Sequence, residues 1–220
     1  MKVGFIGLGI MGYHMACNLS KGGYQVYAYD IMPEAVERAE KSGCIGCASI
    51  KEVADQCEDI ITMLPNGPHV KSVVLGNGGI AEFGGCGTFI IDMSSIAPGV
   101  SREIAEELSL KGIHMMDAPV SGGEPKAADG TLAIMAGGSR EDFERAGKYF
   151  DILGSSAILV GGVGSGNTCK LTNQMIVAVN IAALSEGLQL AARAGADVEK
   201  VYEAIKGGLA GSTVMNARLL

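Results

Sequence analysis

The sequence predicts an α/β protein, a doubly wound sheet followed by an all-α segment, and three observations carry the prediction. The chain opens on an apolar strand, Lys2 to Gly7, that runs into Gly7-x-Gly9-x-x-Gly12. Strand-like and helix-like stretches then alternate to about residue 162, the pattern of a parallel sheet with helices on both faces. Past a glycine cluster at residues 161–166, Asn167 to about Ala194 is rich in Ala, Leu, Ile, Val and Met and reads as one helix about 40 Å long.

The opening turn is specific because its context is complete. A helix over Ile10 to Lys21 follows the glycines, and an alternating strand from Tyr24 ends on Asp30, eighteen positions beyond Gly12. In a Rossmann-type unit the first glycine permits the tight turn, the second lets backbone approach a pyrophosphate, and the third allows close helix–strand packing. The helix N-terminus then faces the phosphate charge. These residues predict dinucleotide binding. A carboxylate facing the ribose accepts from two hydroxyls and repels a 2′-phosphate, and no arginine follows Asp30 in Ile31-Met32-Pro33. NAD(H) is therefore favoured, with NADP(H) the alternative.

The remaining elements follow in order. Helices are expected at Pro33 to Lys41 and around Ile50 to Gln56, and a buried strand at Asp59 to Leu64. That strand ends on Pro65-Asn66-Gly67-Pro68, a loop at the sheet edge where ligands sit. A strand at Thr88 to Met93 ends on Ser94-Ser95, and Pro98 starts a helix to about Leu110; the serines stand where they could cap it. Ile113 to Val120 reads as a strand leading into Ser121-Gly122-Gly123, with further strands near Thr131 to Ala136 and Ser156 to Val160. In the helical segment, Asp197 to Lys206 forms a second helix, and a third stops at Leu220. The long helix is apolar almost all round, the mark of a helix buried in an assembly.

Composition narrows the partners. The 220 residues carry a net charge of −7 with no basic cluster, which argues against nucleic acid and anionic membrane. No run approaches the ~18 uninterrupted apolar residues of a spanning helix, and the protein reads as cytoplasmic. Cys44-Ile45-Gly46-Cys47 has redox or zinc spacing but lacks a second pair, and the three histidines are scattered, so no metal is expected. The six cysteines read as small packing residues.

Lys170, Asn173 and Gln174 fall at i, i+3 and i+4, on one face of the long helix. A lysine on such a helix needs a partner or a ligand, unless it reaches solvent along its own stem.

Three motifs in order, Gly7-x-Gly9-x-x-Gly12, Asp117-Ala-Pro-Val-Ser-Gly-Gly123 and Gly164-x-Gly166-x-x-x-Lys170-x-x-Asn173, resemble the β-hydroxyacid dehydrogenase family over the whole chain. The resemblance implies a nucleotide-binding domain over 1–162 and the beginning of an all-α substrate and dimerisation domain over 163–220. Family chains continue for several more helices, so the all-α part is expected to be truncated. Gly7, Leu8, Gly9, Ile10, Met11 and Gly12 would hold the pyrophosphate, Asp30 the adenosine ribose, Leu64, Pro65 and Asn66 the middle of the cofactor, and Ser95 its nicotinamide end. Ser121, Gly122 and Gly123, with Asn173 and Gln174, would bind a small hydroxy- or oxo-acid, and Lys170 and Asn173 would be catalytic. The stretches Met63 to Val70, Asp92 to Pro98, Gly122 to Lys126 and Gly207 to Val214 look most like the branch that reduces tartronate semialdehyde to D-glycerate; Gln174, where many members carry asparagine, agrees. Oxidation of 3-hydroxyisobutyrate or another short β-hydroxyacid is the alternative, and a non-catalytic interaction module the alternative of another class. A homo-oligomer, dimer or tetramer, through the helical domain is also implied.

Overall fold

The computed structural model describes residues 1–218, which divide into a compact unit through Lys170 and a second unit beginning at Leu171. The first unit opens with β1 (Lys2–Ile6), α1 (Ile10–Lys21), β2 (Gln25–Tyr29), α2 (Pro33–Glu40), β3 (Ile45–Gly46), α3 (Ile50–Gln56) and β4 (Asp59–Thr62). It continues through α4 (Gly67–Leu75), α5 (Ile80–Phe83), β5 (Phe89–Asp92), α6 (Pro98–Ser109), β6 (His114–Asp117) and β7 (Val120–Ser121). Then come α7 (Gly123–Asp129), β8 (Leu132–Gly137), α8 (Arg140–Leu153) and β9 (Gly154–Gly161), after which α9 (Ser165–Arg193) runs on into the second unit.

Among the described residues nine strands make one sheet, ordered β3-β2-β1-β4-β5-β6-β8-β7, with β9 on β8. Strands β3 to β6 pair in parallel, whereas β8 runs antiparallel to β6 and β7. The chain leaves β1 for β2 on one side and returns to β4 on the other, so the order reverses at β1. In an open α/β sheet that crevice, beyond the strand carboxyl ends, is where ligands bind.

The central strands read as unbroken apolar runs because both of their faces are covered. Phe89 and Ile91 pack into one cluster with Phe5, Leu19 and Ile61, while Ile60 and Ile90 enter another with Val53, Val74 and Ile104. Successive side chains point to opposite faces, so both layers are served by the same strands.

Several elements depart from the sequence expectation. Pro119 cannot donate to a ladder, and the strand expected over Ile113 to Val120 breaks there into β6 and β7, with β7 turned antiparallel against β8. The loop expected at Pro65-Asn66-Gly67-Pro68 is present at Pro65 and Asn66 but ends sooner, since Gly67 already begins α4, whose N-cap is Asn66 accepting from the His69 N–H at 3.3 Å. Ser94 and Ser95 do not cap α6: Ala97 occupies the N-cap and no side chain bonds there. Helix α8, capped by Ser139, lies where no helix was expected. Cys44, Cys47 and Cys57 are buried, and burial pushes their thiols up to about 12, 11 and 12, which disfavours the thiolate.

At the amino ends of the strands, Asp59 anchors α8. Its carboxylate accepts from Arg145 Nε at 2.9 Å and Tyr149 Oη at 2.6 Å and pairs with Lys148 Nζ at 2.8 Å. Burial opposes ionisation of Asp59, but the bonds from Lys148 and Tyr149 and the Arg145 charge outweigh it and hold the carboxyl below the usual range.

The second unit contains the rest of α9, α10 (Val198–Ile205) capped by Asp197, and α11 (Thr213–Arg218); the expected end of the last helix at Leu220 lies outside the described residues. Leu171, Met175, Ile176, Val179 and Leu190 of α9 are exposed. The exclusion of a spanning segment needs correction, because it counted only unbroken apolar runs. At 29 residues α9 is long and apolar enough, by length and composition, to cross a membrane.

Replacing Asp59 by alanine leaves Arg145, Lys148 and Tyr149 without their acid. The half-exposed cations discount the ~3–5 kcal/mol typical of a broken buried pair to about 2 kcal/mol. A group with a lowered folded value contributes stability above its ordinary value, about 3.9, and loses it as pH falls through the folded one. Urea midpoints should therefore separate Asp59→Ala from the parent at pH 7 and converge as pH falls below about 4.

Candidate functional site

The turn after β1 is built by three glycines with three different constraints. Gly7 sits at φ +99°, and a Cβ there would lie 2.3 Å from the Met63 carbonyl oxygen. At Gly12 a Cβ would meet the Gly7 carbonyl oxygen at 2.0 Å, so α1 approaches the turn as closely as backbone permits. Gly9 differs, since a Cβ there would enter space with no atom within 4 Å. The first N–H groups of a helix have no partner within it, and Gly9, the N-cap of α1, supplies no side-chain bond. Nothing acidic stands in the first turn. The result is an open cradle with outward N–H donors, which fits a pyrophosphate.

That cradle lines a cavity of about 440 Å³. Gly7, Gly9, Ile10, Met11 and Gly12 form one wall, Asp30 stands at the end of β2, and Leu64 and Pro65 close the side from β4. Tyr29, Met32, His69 and Val73 also line it and were not foreseen. Asn66 and Ser95 are outside the lining: Asn66 Oδ1 is engaged by the His69 N–H and ring, and Ser95 is exposed beyond β5.

Leu8 is gripped from both sides. Asp30 Oδ2 accepts from the Leu8 N–H at 2.6 Å, and Arg38 Nη2 donates to the Leu8 carbonyl at 3.1 Å while its guanidinium stacks 3.9 Å over the Tyr13 ring. The second Asp30 oxygen accepts from the Met32 N–H at 2.9 Å. Arg38 lies thirty residues from Leu8 in sequence, and inspecting only the residues beside Asp30 misses it.

Around Lys170 a second group of segments converges. Its Nζ donates to the Val120 carbonyl at 2.8 Å, directly before Ser121-Gly122-Gly123. Burial holds the ammonium below the ordinary lysine range. Gly122 and Gly123 adopt φ of +145° and +70°, conformations glycine holds at least cost. Asp117, fully buried at the end of β6, accepts from Gly164 N at 2.6 Å and Asn167 N at 2.6 Å, and so caps the start of α9. Burial raises its carboxyl above the usual range, although these backbone bonds oppose the shift. Next to it in register, Asp92 accepts from Thr62 Oγ1 and the Ser94 N–H, its Oδ2 has no hydrogen-bond partner, and burial lifts it to about 6. Ser94 Oγ in turn accepts from the Leu64 N–H at 2.9 Å, fixing one wall of the cavity. Asn173 and Gln174, further along α9, bond to each other, Asn173 Nδ2 donating at 3.0 Å. No group of three His, Cys, Asp or Glu suited to a metal occurs among the described residues.

A doubly wound sheet with an open glycine cradle at its switch point, and a carboxylate beside it at the end of β2, defines a dinucleotide-binding protein. Comparison with known proteins narrows this. Residues 2–162 match the family described as the NAD binding domain of 6-phosphogluconate dehydrogenase, and residues 164–220 that described as NAD-binding of NADP-dependent 3-hydroxyisobutyrate dehydrogenase. The chain therefore belongs to the NAD(P)-dependent β-hydroxyacid dehydrogenase family. It is 44% identical to the 2-hydroxy-3-oxopropionate reductase of Escherichia coli K12 over 98% of this chain and 73% of that protein. It is 36% identical to the 3-hydroxyisobutyrate dehydrogenase of Pseudomonas aeruginosa PAO1, over 97% of this chain and 72% of the relative. The solved structure of Mycobacterium tuberculosis 3-hydroxyisobutyrate dehydrogenase with L-serine superposes with a TM-score of 0.90 at 31% identity, covering 97% of this chain and 72% of that one.

The glycine geometry separates binding from folding. Gly9→Ala should melt within a degree or two of the parent yet bind NADH at least tenfold more weakly, about 1.4 kcal/mol, by fluorescence titration. Gly12→Ala, which overpacks the turn, should lose on the order of 1–3 kcal/mol of stability.

Proposed function

We propose that the protein reduces tartronate semialdehyde (2-hydroxy-3-oxopropanoate) to D-glycerate with NADH, Lys170 acting as the general acid. The observation that carries the proposal is the half-buried Lys170 ammonium, held on the Val120 carbonyl beside the Ser121-Gly122-Gly123 loop in a chain of β-hydroxyacid dehydrogenase type. The 44% identity to a reductase of that name supports the choice of substrate.

The cradle residues Gly7 to Gly12 would hold the pyrophosphate and Asp30 a ribose. When bound, the reduced nicotinamide supplies the hydride that turns the aldehyde carbon into an alcohol carbon. Lys170 then has two tasks. Its positive charge stabilises the oxygen on which negative charge develops, and its Nζ–H passes a proton to that oxygen, giving a hydroxyl and a neutral amine that regains its proton from water. Ser121 Oγ and the amides of Gly122 and Gly123 would bind the substrate carboxylate, and Asn173 would orient the reacting oxygen. In the reverse direction neutral Lys170 is the base. Asp30 supports NADH over NADPH, since a carboxylate repels a 2′-phosphate.

A second reading, 3-hydroxyisobutyrate dehydrogenase, is favoured by the 36% identical relative and by the Mycobacterium tuberculosis structure, because Ser121, Lys170 and Asn173 suit any short β-hydroxyacid. We also infer that the apolar residues of α9 are covered by protein from a second copy rather than by lipid, which gives a dimer or larger assembly by light scattering in detergent-free buffer.

NADH oxidation with tartronate semialdehyde and with methylmalonate semialdehyde, in parallel, tests the substrate: a higher kcat/KM for the first supports the proposal and a higher value for the second selects the alternative. Lys170→Ala should lower kcat about 100- to 10,000-fold. Reduction needs the protonated amine, so its rate should fall as pH rises through a value below the ordinary lysine ~10.4. Asp30→Ser should narrow the ratio of kcat/KM for NADH over NADPH at least tenfold; an unchanged ratio contradicts the role given to Asp30.

A further inference from the structure

Three segments carry the proposed chemistry near Lys170: the loop after β5 with Ser95, the loop after β6 with Ser121, and the start of α9. They are far apart in sequence, and one side chain joins them. Asn167 is 1% exposed. Its backbone N–H donates to Asp117 Oδ2 at 2.6 Å, its Oδ1 accepts from the Ile96 N–H at 3.0 Å, and its Nδ2 donates to Ser101 Oγ at 3.2 Å. Every polar group of the residue except its carbonyl thus serves a neighbouring segment. Ile96 directly follows Ser95. Lys170 stands three residues beyond Asn167 on α9, about one turn away, and its Nζ holds the Val120 carbonyl, three residues beyond Asp117.

We propose that Asn167 is a positioning residue that sets the register between the Ser95 loop and the Lys170 ammonium, through its amide oxygen on Ile96 and its backbone on Asp117. The inference rests on the proposed role of Lys170 and extends it. The Asn167 amide holds the Ile96 N–H from α9, and losing it leaves the Ser95–Ile96 backbone without that anchor. A buried backbone N–H left unpaired costs roughly 1–3 kcal/mol, and the Ile96 N–H would relieve this by moving toward water. An error of about 1 Å in the placement of reacting groups costs on the order of 100-fold in rate. The loss should therefore fall on catalysis more than on cofactor affinity, because the cradle at Gly7 to Gly12 shares no bond with Asn167 and only the nicotinamide end would meet the Ser95 loop.

The test compares Asn167→Ala with Ser101→Ala, which removes only the other partner of the same amide, and with Lys170→Ala. Asn167→Ala should lower kcat about 10- to 100-fold with the NADH Kd within threefold of the parent. Its primary isotope effect with 4-deuterated NADH should rise, as hydride transfer becomes rate-limiting. Without any cofactor, amide exchange at residues 95–97 should quicken at least tenfold in Asn167→Ala and stay at parental rates in Ser101→Ala. Ser101→Ala should lose comparable thermal stability yet keep kcat within twofold. A merely structural residue would give equal kcat losses in the two variants, or parental exchange at Ile96 in Asn167→Ala, and either result overturns the inference. Parental turnover in Lys170→Ala overturns the catalytic reading first and the inference with it, whereas lysine-dependent turnover with parental kcat in Asn167→Ala overturns the inference alone.

Discussion

The approach of α1 to the turn after β1 governs what the first unit can bind. Gly12 leaves no room for a single carbon between the helix and the Gly7 carbonyl, and Gly7 leaves none against Met63. Any side chain at either position would push the helix N-terminus away from the strand end. Held this close, the unpartnered N–H groups of α1 face the switch point, and Gly9 leaves the approach to them open. Asp30 and Arg38 then fix Leu8 from its N–H and its carbonyl, so the turn is clamped on both sides of the peptide chain. The closeness of α1 to the strand end thus rests on contacts at Gly7 and Gly12 too tight for anything but glycine.

The buried acids of the sheet divide by what neutralises them. Asp59, at the amino end of β4, is matched by the cations Arg145 and Lys148 and tightens α8 onto the sheet. Asp92 and Asp117, neighbours in register at the carboxyl ends of β5 and β6, pair with no cation among the described residues and accept from N–H and O–H donors. Neutral donors compensate burial less completely, so the first acid is held down in pKa and the other two are raised. No carboxylate pairs with Lys170 among the described residues, and both oxygens of Asp117 accept from backbone N–H groups around the start of α9.

Much of this was legible in the sequence wherever the determinant is local. The glycine spacing gives all three steric roles, and α1 and α3 begin and end where their patterns predict, at Ile10–Lys21 and Ile50–Gln56. Helix α8 was missed although its start is written in Ser139 and Asp142, which bond reciprocally as a cap. Asn66 and Pro68 likewise carried the signal of α4, but a Pro-Asn-Gly-Pro run suits a turn equally well. The serines after β5 show the opposite failure: a plausible local cap yielded to a tertiary bond, Ser94 Oγ accepting from Leu64 thirty residues away. Arg38 and Asn167 had no local signal at all, since their partners lie 30 to 71 positions distant and only the folded sheet brings them together.

The same division bears on the lowered pKa of Lys170. A lysine paired with a carboxylate is stabilised in its charged form, and its pKa rises; a lysine facing a carbonyl gains only a dipole, and burial prevails. Asp117 precedes Val120 by three residues, and the break at Pro119 turns the strand so that the Val120 carbonyl meets Nζ while the carboxylate remains on the N–H groups of Gly164 and Asn167. An acid at a helix N-terminus is itself favourably placed, so the cap stabilises the helix that carries the lysine, while the segment after the proline break presents to that lysine a carbonyl rather than a charge.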